Sequence, residues 1–256
     1  MRGLDSKVII VAGGATGIGN GTAVRLAQEG AKVVVGDLNT DGAEATAAGI
    51  TAGGGTAIPV HFDLADEESV ANLVDAAVKE YGTINGLFNV GADLSPQNLG
   101  NDKDLLTTDL EIWRRTLDVN LVGYVRTCRA VLPVLLGNGG GSIVNCSSGA
   151  AHGGDTQRPA YAASKAGVNA LTRHVASNWG PAGVRCNGVM PGLVMGETQR
   201  RQNDVALQEK FLQIVPTTRL GDPADLAAVV AFLLSDDAEW INGQMWAIDG
   251  GAHFRD

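Results

Sequence analysis

Short apolar runs alternate with longer amphipathic segments along this chain of 256 residues. The apolar runs predict seven strands, at residues 7–12, 31–36, 56–62, 84–90, 142–147, 184–190 and 244–248. The amphipathic segments predict helices at residues 17–28, 40–52, 66–81, 109–136, 161–179 and 223–234. Strands that are apolar along their whole length are typical of parallel sheets, which helices bury on both faces. The alternation therefore predicts an α/β protein with a doubly wound parallel sheet.

No internal repeat, linker or break in composition divides the chain. Its length suits one large domain, so we expect a single domain over residues 1–256. A polar segment at residues 193–220 departs from the alternation and is flanked by Gly192 and Gly221. We expect this segment to be a lid that orders when substrate binds.

Composition argues against several classes of partner. A formal net charge of −9 without clusters of Lys and Arg disfavours nucleic acid, whose phosphates are neutralised by basic side chains. No apolar run approaches the roughly 20 residues that span a bilayer, and the first residues are too polar for a signal peptide. Cys128, Cys146 and Cys186 are odd in number and widely spaced, so neither a disulfide framework nor a metal site is predicted. A cytoplasmic protein is expected.

A glycine-rich turn follows the first predicted strand. It contains Gly13, Thr16, Gly17, Ile18 and Gly19 and leads directly into the first predicted helix. Glycines let a pyrophosphate approach the backbone, and the free N–H groups of a helix N-terminus attract anions. The spacing is G-x-x-x-G-x-G rather than the common G-x-G-x-x-G. This context predicts a dinucleotide site on a Rossmann-type fold.

Asp37 ends the second predicted strand. A carboxylate at this place can hold both hydroxyls of a ribose and repels a 2′-phosphate. Neither Thr16 nor Leu38 offers the positive charge that a 2′-phosphate requires. The sequence therefore favours NAD over NADP, although Asp37 can also serve only to cap the next turn.

Tyr161 and Lys165 are four positions apart, and Ser148 precedes them. On a helix, this spacing places the phenol and the ammonium on one face, one turn apart. We expect the ammonium to lower the pKa of the phenol from about 10 towards neutrality. With Ser148 holding a carbonyl or alcohol oxygen, Tyr161 can then act as a general acid and base.

The order of these motifs along the chain is informative as a set. The set comprises the glycine turn, Asp37, Asn89-Val90-Gly91-Ala92, Asn120, Ser148, Tyr161-x-x-x-Lys165 and Pro191-Gly192. In this order the motifs resemble those of the short-chain dehydrogenases/reductases, over nearly the whole chain. The chain is similar to the compact, single-domain, NAD-dependent branch of that family.

The resemblance implies a catalytic tetrad of Asn120, Ser148, Tyr161 and Lys165. Asn120 would hold a water that links Lys165 to solvent, and Ser148, rather than its neighbour Ser147, would polarise the substrate oxygen. Tyr161 would donate the proton in reduction and accept it in oxidation. Lys165 would also hold the nicotinamide ribose.

Further cofactor contacts are implied by the same resemblance. Asp63 and Leu64 would contact the adenine, Asn89 and Gly91 would flank the adenosine and its ribose, and Pro191, Gly192, Val194 and Thr198 would border the nicotinamide. The sequence departs from the family pattern in three places. Ala12 replaces a common Thr, Val90-Gly91-Ala92 replaces Asn-Ala-Gly, and Thr198 stands two residues beyond the expected position at Gly196.

The function implied is reversible hydride transfer between NAD and a secondary alcohol/ketone pair, by a homotetramer or dimer. One alternative is a 3-oxoacyl-thioester reductase that uses NADPH. The other is a non-catalytic, nucleotide-sensing protein with the same fold. The loops that would line the pocket mix apolar and polar residues and do not indicate whether the substrate is a sugar, steroid, terpenoid or diol.

Overall fold

The computed structural model describes residues 1–196 and 205–253. Its strands are β1 Val8–Ala12, β2 Lys32–Asp37, β3 Thr56–His61, β4 Gly86–Asn89, β5 Gly141–Cys146, β6 Val184–Pro191 and β7 Met245–Ile248. Its α-helices are α1 Gly17–Gln28, α2 Thr40–Ala52, α3 Glu67–Tyr81, α4 Leu110–Leu117, α5 Gly123–Gly137, α6 Pro159–Trp179, α7 Val205–Leu212 and α8 Pro223–Leu234. A π-helical segment, Asp118–Val122, joins α4 to α5.

The strands form one sheet in the order β3-β2-β1-β4-β5-β6-β7, and every neighbouring pair is parallel. The predicted doubly wound parallel sheet is therefore confirmed. The strand order reverses between β1 and β4. A crevice opens at the carboxyl ends of the strands at such a reversal, which is where ligands bind to this architecture.

Two apolar layers bury the sheet, one on each face. Successive residues of β1 enter opposite layers, because side chains alternate along a strand. Val8 and Ile10 pack with the layer that includes side chains of α3, α5 and α6. Ile9 and Val11 pack with the layer that includes side chains of α1, α2 and α8. This double burial explains why the strands are apolar along their whole length.

The helix predicted at residues 109–136 is interrupted by the π-helical segment. Its whole span, Leu110–Gly137, is long and apolar enough to cross a membrane by length and composition alone, and half of its most apolar window is buried. Tyr124, Cys128 and Val131 of this span lie in the core, so it packs here as a core helix.

The segment at residues 193–220 contains a helix that its polar composition did not predict, α7. Val194 forms an isolated bridge with Gly221, and the amide of Met195 donates to the Gly221 carbonyl oxygen at 2.8 Å. The two ends of the segment are therefore held together. Residues 197–204 of the proposed lid lie outside the described residues.

Candidate active site

Tyr161 and Lys165 both lie on α6, one turn apart as predicted. The Nζ atom of Lys165 donates to the Cys146 carbonyl oxygen at 2.9 Å. It also lies 5.1 Å from the ring centroid of Tyr124 and 5.8 Å from that of Tyr161. Lys165 is only 2% exposed, so a carbonyl oxygen and two aromatic faces replace the water that would otherwise surround its ammonium.

Burial dominates the ionisation of this pair. It raises the pKa of Tyr161 to about 12, whereas the Ser148 hydroxyl and, less strongly, Arg158 act to lower it. Burial also lowers the pKa of Lys165. The expectation that Lys165 moves the phenol pKa towards neutrality is therefore wrong for the protein alone. The free-energy cost of removing the phenolate from water exceeds the stabilisation that these neighbours provide.

Ser148 follows β5 and is the N-cap residue of a short 3₁₀ turn, Gly149–Ala151. Its Oγ accepts a hydrogen bond from the Ala150 amide at 3.2 Å, and the residue is half-buried. Ser147 is 3% exposed, and its hydroxyl donates to the Lys165 carbonyl oxygen at 3.0 Å. The arrangement therefore favours Ser148 over Ser147 as the hydroxyl that can reach a substrate.

Asn120 lies in the π-helical segment, a geometry found frequently at functional sites. Its Oδ1 accepts a hydrogen bond from the Asp93 amide at 2.9 Å. Its Nδ2 is buried and has no hydrogen-bond partner among the described residues. A buried donor without a partner is rare, and it suits a water molecule or a ligand atom.

The glycine turn leaves room beside the N-terminus of α1. Thr16 is the exposed N-cap residue, and its side chain makes no capping hydrogen bond to the helix. A Cβ atom on Gly17 would meet nothing within 4 Å, and Ile18 is half-buried behind it. A Cβ on Gly13 would instead strike the Gly91 amide. The turn therefore presents free amides around an open space, which fits a dinucleotide pyrophosphate.

Gly19 is expected to be essential to this turn. A Cβ on Gly19 would overlap the carbonyl oxygen of Gly13, whereas a Cβ on Gly49 of α2 would meet nothing within 4 Å. Gly19→Ala is expected to lower the free energy of unfolding by about 1–3 kcal/mol because of overpacking. The matched Gly49→Ala is expected to raise it by about 0.5–1 kcal/mol. Denaturant unfolding measures both; equal stability of the two variants would show that the turn accommodates a methyl group.

Asp37 is half-buried at the end of β2. Its Oδ2 accepts from the Ala15 amide and its Oδ1 from the Asn39 amide, each at 2.9 Å. The turn-capping role left open by the sequence is therefore confirmed, and Asp37 also ties β2 to the glycine turn. Each carboxylate oxygen can accept a second hydrogen bond, so a ribose can still be held. Leu38 is 57% exposed and carries no charge.

Three of the predicted adenosine contacts have side chains engaged within the protein. Asn89 is 0% exposed, its Nδ2 donates to Asn145 Oδ1 at 2.9 Å, and its Oδ1 accepts from the Thr127 hydroxyl at 2.8 Å. Leu64 is 6% exposed and packs in the core. Asp63 Oδ1 accepts from the Ala65 amide at 2.8 Å. The Asn89 side chain therefore links β4 to β5 and α5, and a contact of Asn89 with the adenosine would be made by its backbone.

Of the residues predicted to border the nicotinamide, the structure describes Pro191, Gly192 and Val194. Pro191 ends β6, and the Gly192 amide donates to the Ile248 carbonyl oxygen at 3.1 Å. Val194 follows in the bridge to Gly221. Thr198 lies outside the described residues.

Two residues that the sequence did not single out support the site. Tyr124 is 0% exposed below the Lys165 ammonium, and its hydroxyl donates to the Cys146 carbonyl oxygen at 3.3 Å. Asp102 binds the first amides of α6. Arg158, the residue before Pro159, is not a capping residue type. This was the signal in the sequence that the first amides of α6 need an acceptor from elsewhere in the chain.

Comparison with known proteins identifies the family. A protein-family model described as Enoyl-(Acyl carrier protein) reductase matches residues 13–253. A probable short-chain type dehydrogenase/reductase of Bradyrhizobium diazoefficiens is 40% identical, covering 98% of this chain and 89% of the relative. The 7alpha-hydroxysteroid dehydrogenase of Bacteroides fragilis is 35% identical, covering 98% of this chain and 96% of the relative.

A solved structure gives the same result. The structure of a 7 alpha-hydroxysteroid dehydrogenase in complex with NADH and 7-oxo glycochenodeoxycholic acid superimposes with a TM-score of 0.90. It is 32% identical, covering 98% of this chain and 95% of that one. The chain belongs to the short-chain dehydrogenase/reductase family.

Proposed function

We propose that the protein is an NAD-dependent oxidoreductase that interconverts a secondary alcohol and a ketone. The observation that carries this proposal is the meeting of the Tyr161 phenol, the Ser148 hydroxyl and the buried Lys165 ammonium at the carboxyl ends of the strands. The names of the hydroxysteroid dehydrogenases to which the chain is similar indicate that they act on the same pair of functional groups. Their cofactor and substrate support the proposal by analogy.

The chain itself offers what a nicotinamide dinucleotide requires. The free amides at the glycine turn would hold the pyrophosphate, and the remaining acceptor capacity of Asp37 would hold the adenosine ribose hydroxyls. When bound, the nicotinamide supplies the hydride acceptor or donor. The negative charge of Asp37 and the uncharged Leu38 favour NAD over NADP.

In the oxidation direction, the Tyr161 phenolate oxygen would accept the proton of the substrate hydroxyl. In reduction, the Tyr161 phenol would donate that proton to the forming alkoxide oxygen. Ser148 Oγ would donate a hydrogen bond to the same oxygen and stabilise its negative charge. Lys165 would stabilise the phenolate, and the free Nδ2 of Asn120 would hold a water through which protons exchange with solvent.

The alternative acyl-thioester reductase is less well supported, although the matched family model is described by a reaction on an acyl carrier protein. A chain with a net charge of −9 offers little attraction to an acidic carrier protein. The position of Asp37 also disfavours NADPH. A homotetramer and a cytoplasmic location stay predictions.

The test is NADH formation on a panel of secondary alcohols that includes sugars, diols, terpenoids and hydroxysteroids, with NADP in parallel, together with NADPH oxidation on a 3-oxoacyl thioester. Turnover with NAD on one class, absent in the Tyr161→Phe variant, is the expected result. Turnover restricted to NADPH and acyl thioesters would select the alternative reductase. A rise in melting temperature with NADH but no turnover on any class would select the nucleotide-sensing protein.

A further inference from the structure

Helix α6, which carries Tyr161, begins without a capping side chain of its own. Its N-cap residue is Arg158, which has a left-handed backbone conformation (φ 63°) and makes no side-chain bond to the helix. Pro159 follows at the first helical position and has no N–H group. The next amides of the first turn are those of Ala160 and Tyr161, and both need an acceptor from elsewhere.

Asp102 supplies both acceptors from a loop 59 residues before Tyr161. Its Oδ2 accepts from the Tyr161 amide at 2.8 Å, and its Oδ1 accepts from the Ala160 amide at 3.2 Å. Its carbonyl oxygen accepts from the Arg158 amide at 3.1 Å. Asp102 is only 3% exposed, so the two carboxylate bonds are shielded from water. A buried carboxylate at a helix N-terminus is also favoured by the helix dipole.

The other end of the same loop binds Asn120. The Asp93 amide donates to Asn120 Oδ1 at 2.9 Å, and the Asp93 carboxylate accepts from Arg115 Nε of α4 at 3.0 Å. The chain from Asp93 to Asp102 is thus fixed at one end to the π-helical segment and at the other to the start of α6. One loop therefore holds the side chain of Asn120 and the backbone amide of Tyr161, two residues of the predicted tetrad.

We propose that Asp102 is a positioning residue for Tyr161: its carboxylate takes the place of the missing cap of α6 and fixes the start of the helix from which the phenol projects. This inference rests on the proposed function, because it assigns Tyr161 the proton transfer. An error of about 1 Å in the position of a reacting group can cost about 10²-fold in rate. A hydrogen bond to the Tyr161 amide itself limits such an error directly.

The experiment compares Asp102→Ala and Asp102→Asn with a matched control, Asp104→Ala. Asp104 lies in the same loop, and its carboxylate accepts from the amides of Leu106 and Thr107 but not from α6. The variants are measured in two ways. One is steady-state turnover of the alcohol found with the panel, together with NADH affinity. The other is hydrogen exchange at the amides of Ala160 and Tyr161.

Asp102→Ala is expected to lower kcat by about 10²-fold while NADH affinity stays within about twofold of the wild-type value. The amides of Ala160 and Tyr161 are expected to exchange fastest in this variant. Asp102→Asn is expected to be intermediate in both measurements, because its single carbonyl oxygen can accept only part of what the carboxylate accepts. Asp104→Ala is expected to match the wild type in both.

Two results would overturn the proposal. One is unchanged exchange of the two amides in Asp102→Ala, which would show that the carboxylate does not hold the start of α6. The other is faster exchange there with kcat near the wild-type value, which would show that the cap does not position Tyr161. If the wild-type protein oxidises no alcohol, the proposed function fails, and the exchange at Ala160 and Tyr161 still decides whether Asp102 holds this helix.

Discussion

Replacement of Tyr161 by phenylalanine is expected to lower kcat by about 10²–10⁴-fold, the usual contribution of a general acid or base. The ring and its packing on α6 are retained, so only the proton-transferring oxygen is lost. Cofactor affinity is expected to change little, because the glycine turn and Asp37 are distant along the chain and make their contacts without Tyr161. An equal loss of kcat and kcat/KM would mark an interaction made in the transition state.

The control is Tyr81→Phe. Tyr81 ends α3, and its hydroxyl is buried without a partner among the described residues, so this variant removes a phenol oxygen away from α6. Its turnover is expected to equal that of the wild type. A Tyr161→Phe variant with more than a third of wild-type kcat would exclude Tyr161 as the acid and base.

The pH profile tests the same assignment. Burial raises the pKa of Tyr161 to about 12, so the phenol holds its proton to higher pH than a free tyrosine does. Oxidation requires the phenolate, and its rate is therefore expected to rise with pH through the alkaline range. Reduction uses the phenol and is expected to show no such rise. The dependence should be absent from the residual activity of Tyr161→Phe.

The double substitution Asp37→Ser and Leu38→Arg is expected to change the cofactor preference. The ratio of kcat/KM with NADP to kcat/KM with NAD is expected to rise by about 10²-fold. The double variant removes a carboxylate that repels a 2′-phosphate and adds a guanidinium that can bind it. A hydrogen bond to a charged group contributes about 1.5–3 kcal/mol, or roughly one to two powers of ten in affinity. The exposed position of Leu38 leaves the arginine free to extend.

This variant also loses structural bonds, since Asp37 accepts from the amides of Ala15 and Asn39. A lower melting temperature is therefore expected and must be separated from the change in preference. Asp41→Ser is the matched control, because Asp41 is an exposed aspartate in the first turn of α2. Its cofactor ratio is expected to stay at the wild-type value. An unchanged ratio in the double variant would show that preference is set elsewhere.

Local patterns in the sequence predicted much of the architecture. The helices Gly17–Gln28, Thr40–Ala52 and Pro223–Leu234 begin and end where the amphipathic pattern does. Asp66, the first residue of the helix predicted at 66–81, caps α3 through a bond from the Glu68 amide. These features depend on residues within a few positions of one another, so neighbouring side chains specify them. The π-helical segment was not predicted, because its apolar pattern continues that of α4 and α5.

The sequence by itself determined the order of the described strands and of most described helices along the chain, the glycine turn and the one-turn spacing of Tyr161 and Lys165, since each is encoded by adjacent residues. Only the tertiary structure decided that the Asn89 side chain faces the interior, that burial raises the pKa of Tyr161, and that Asp102 holds the start of α6. Desolvation and long-range hydrogen bonds arise where distant segments meet, and no local pattern records which segments will do so.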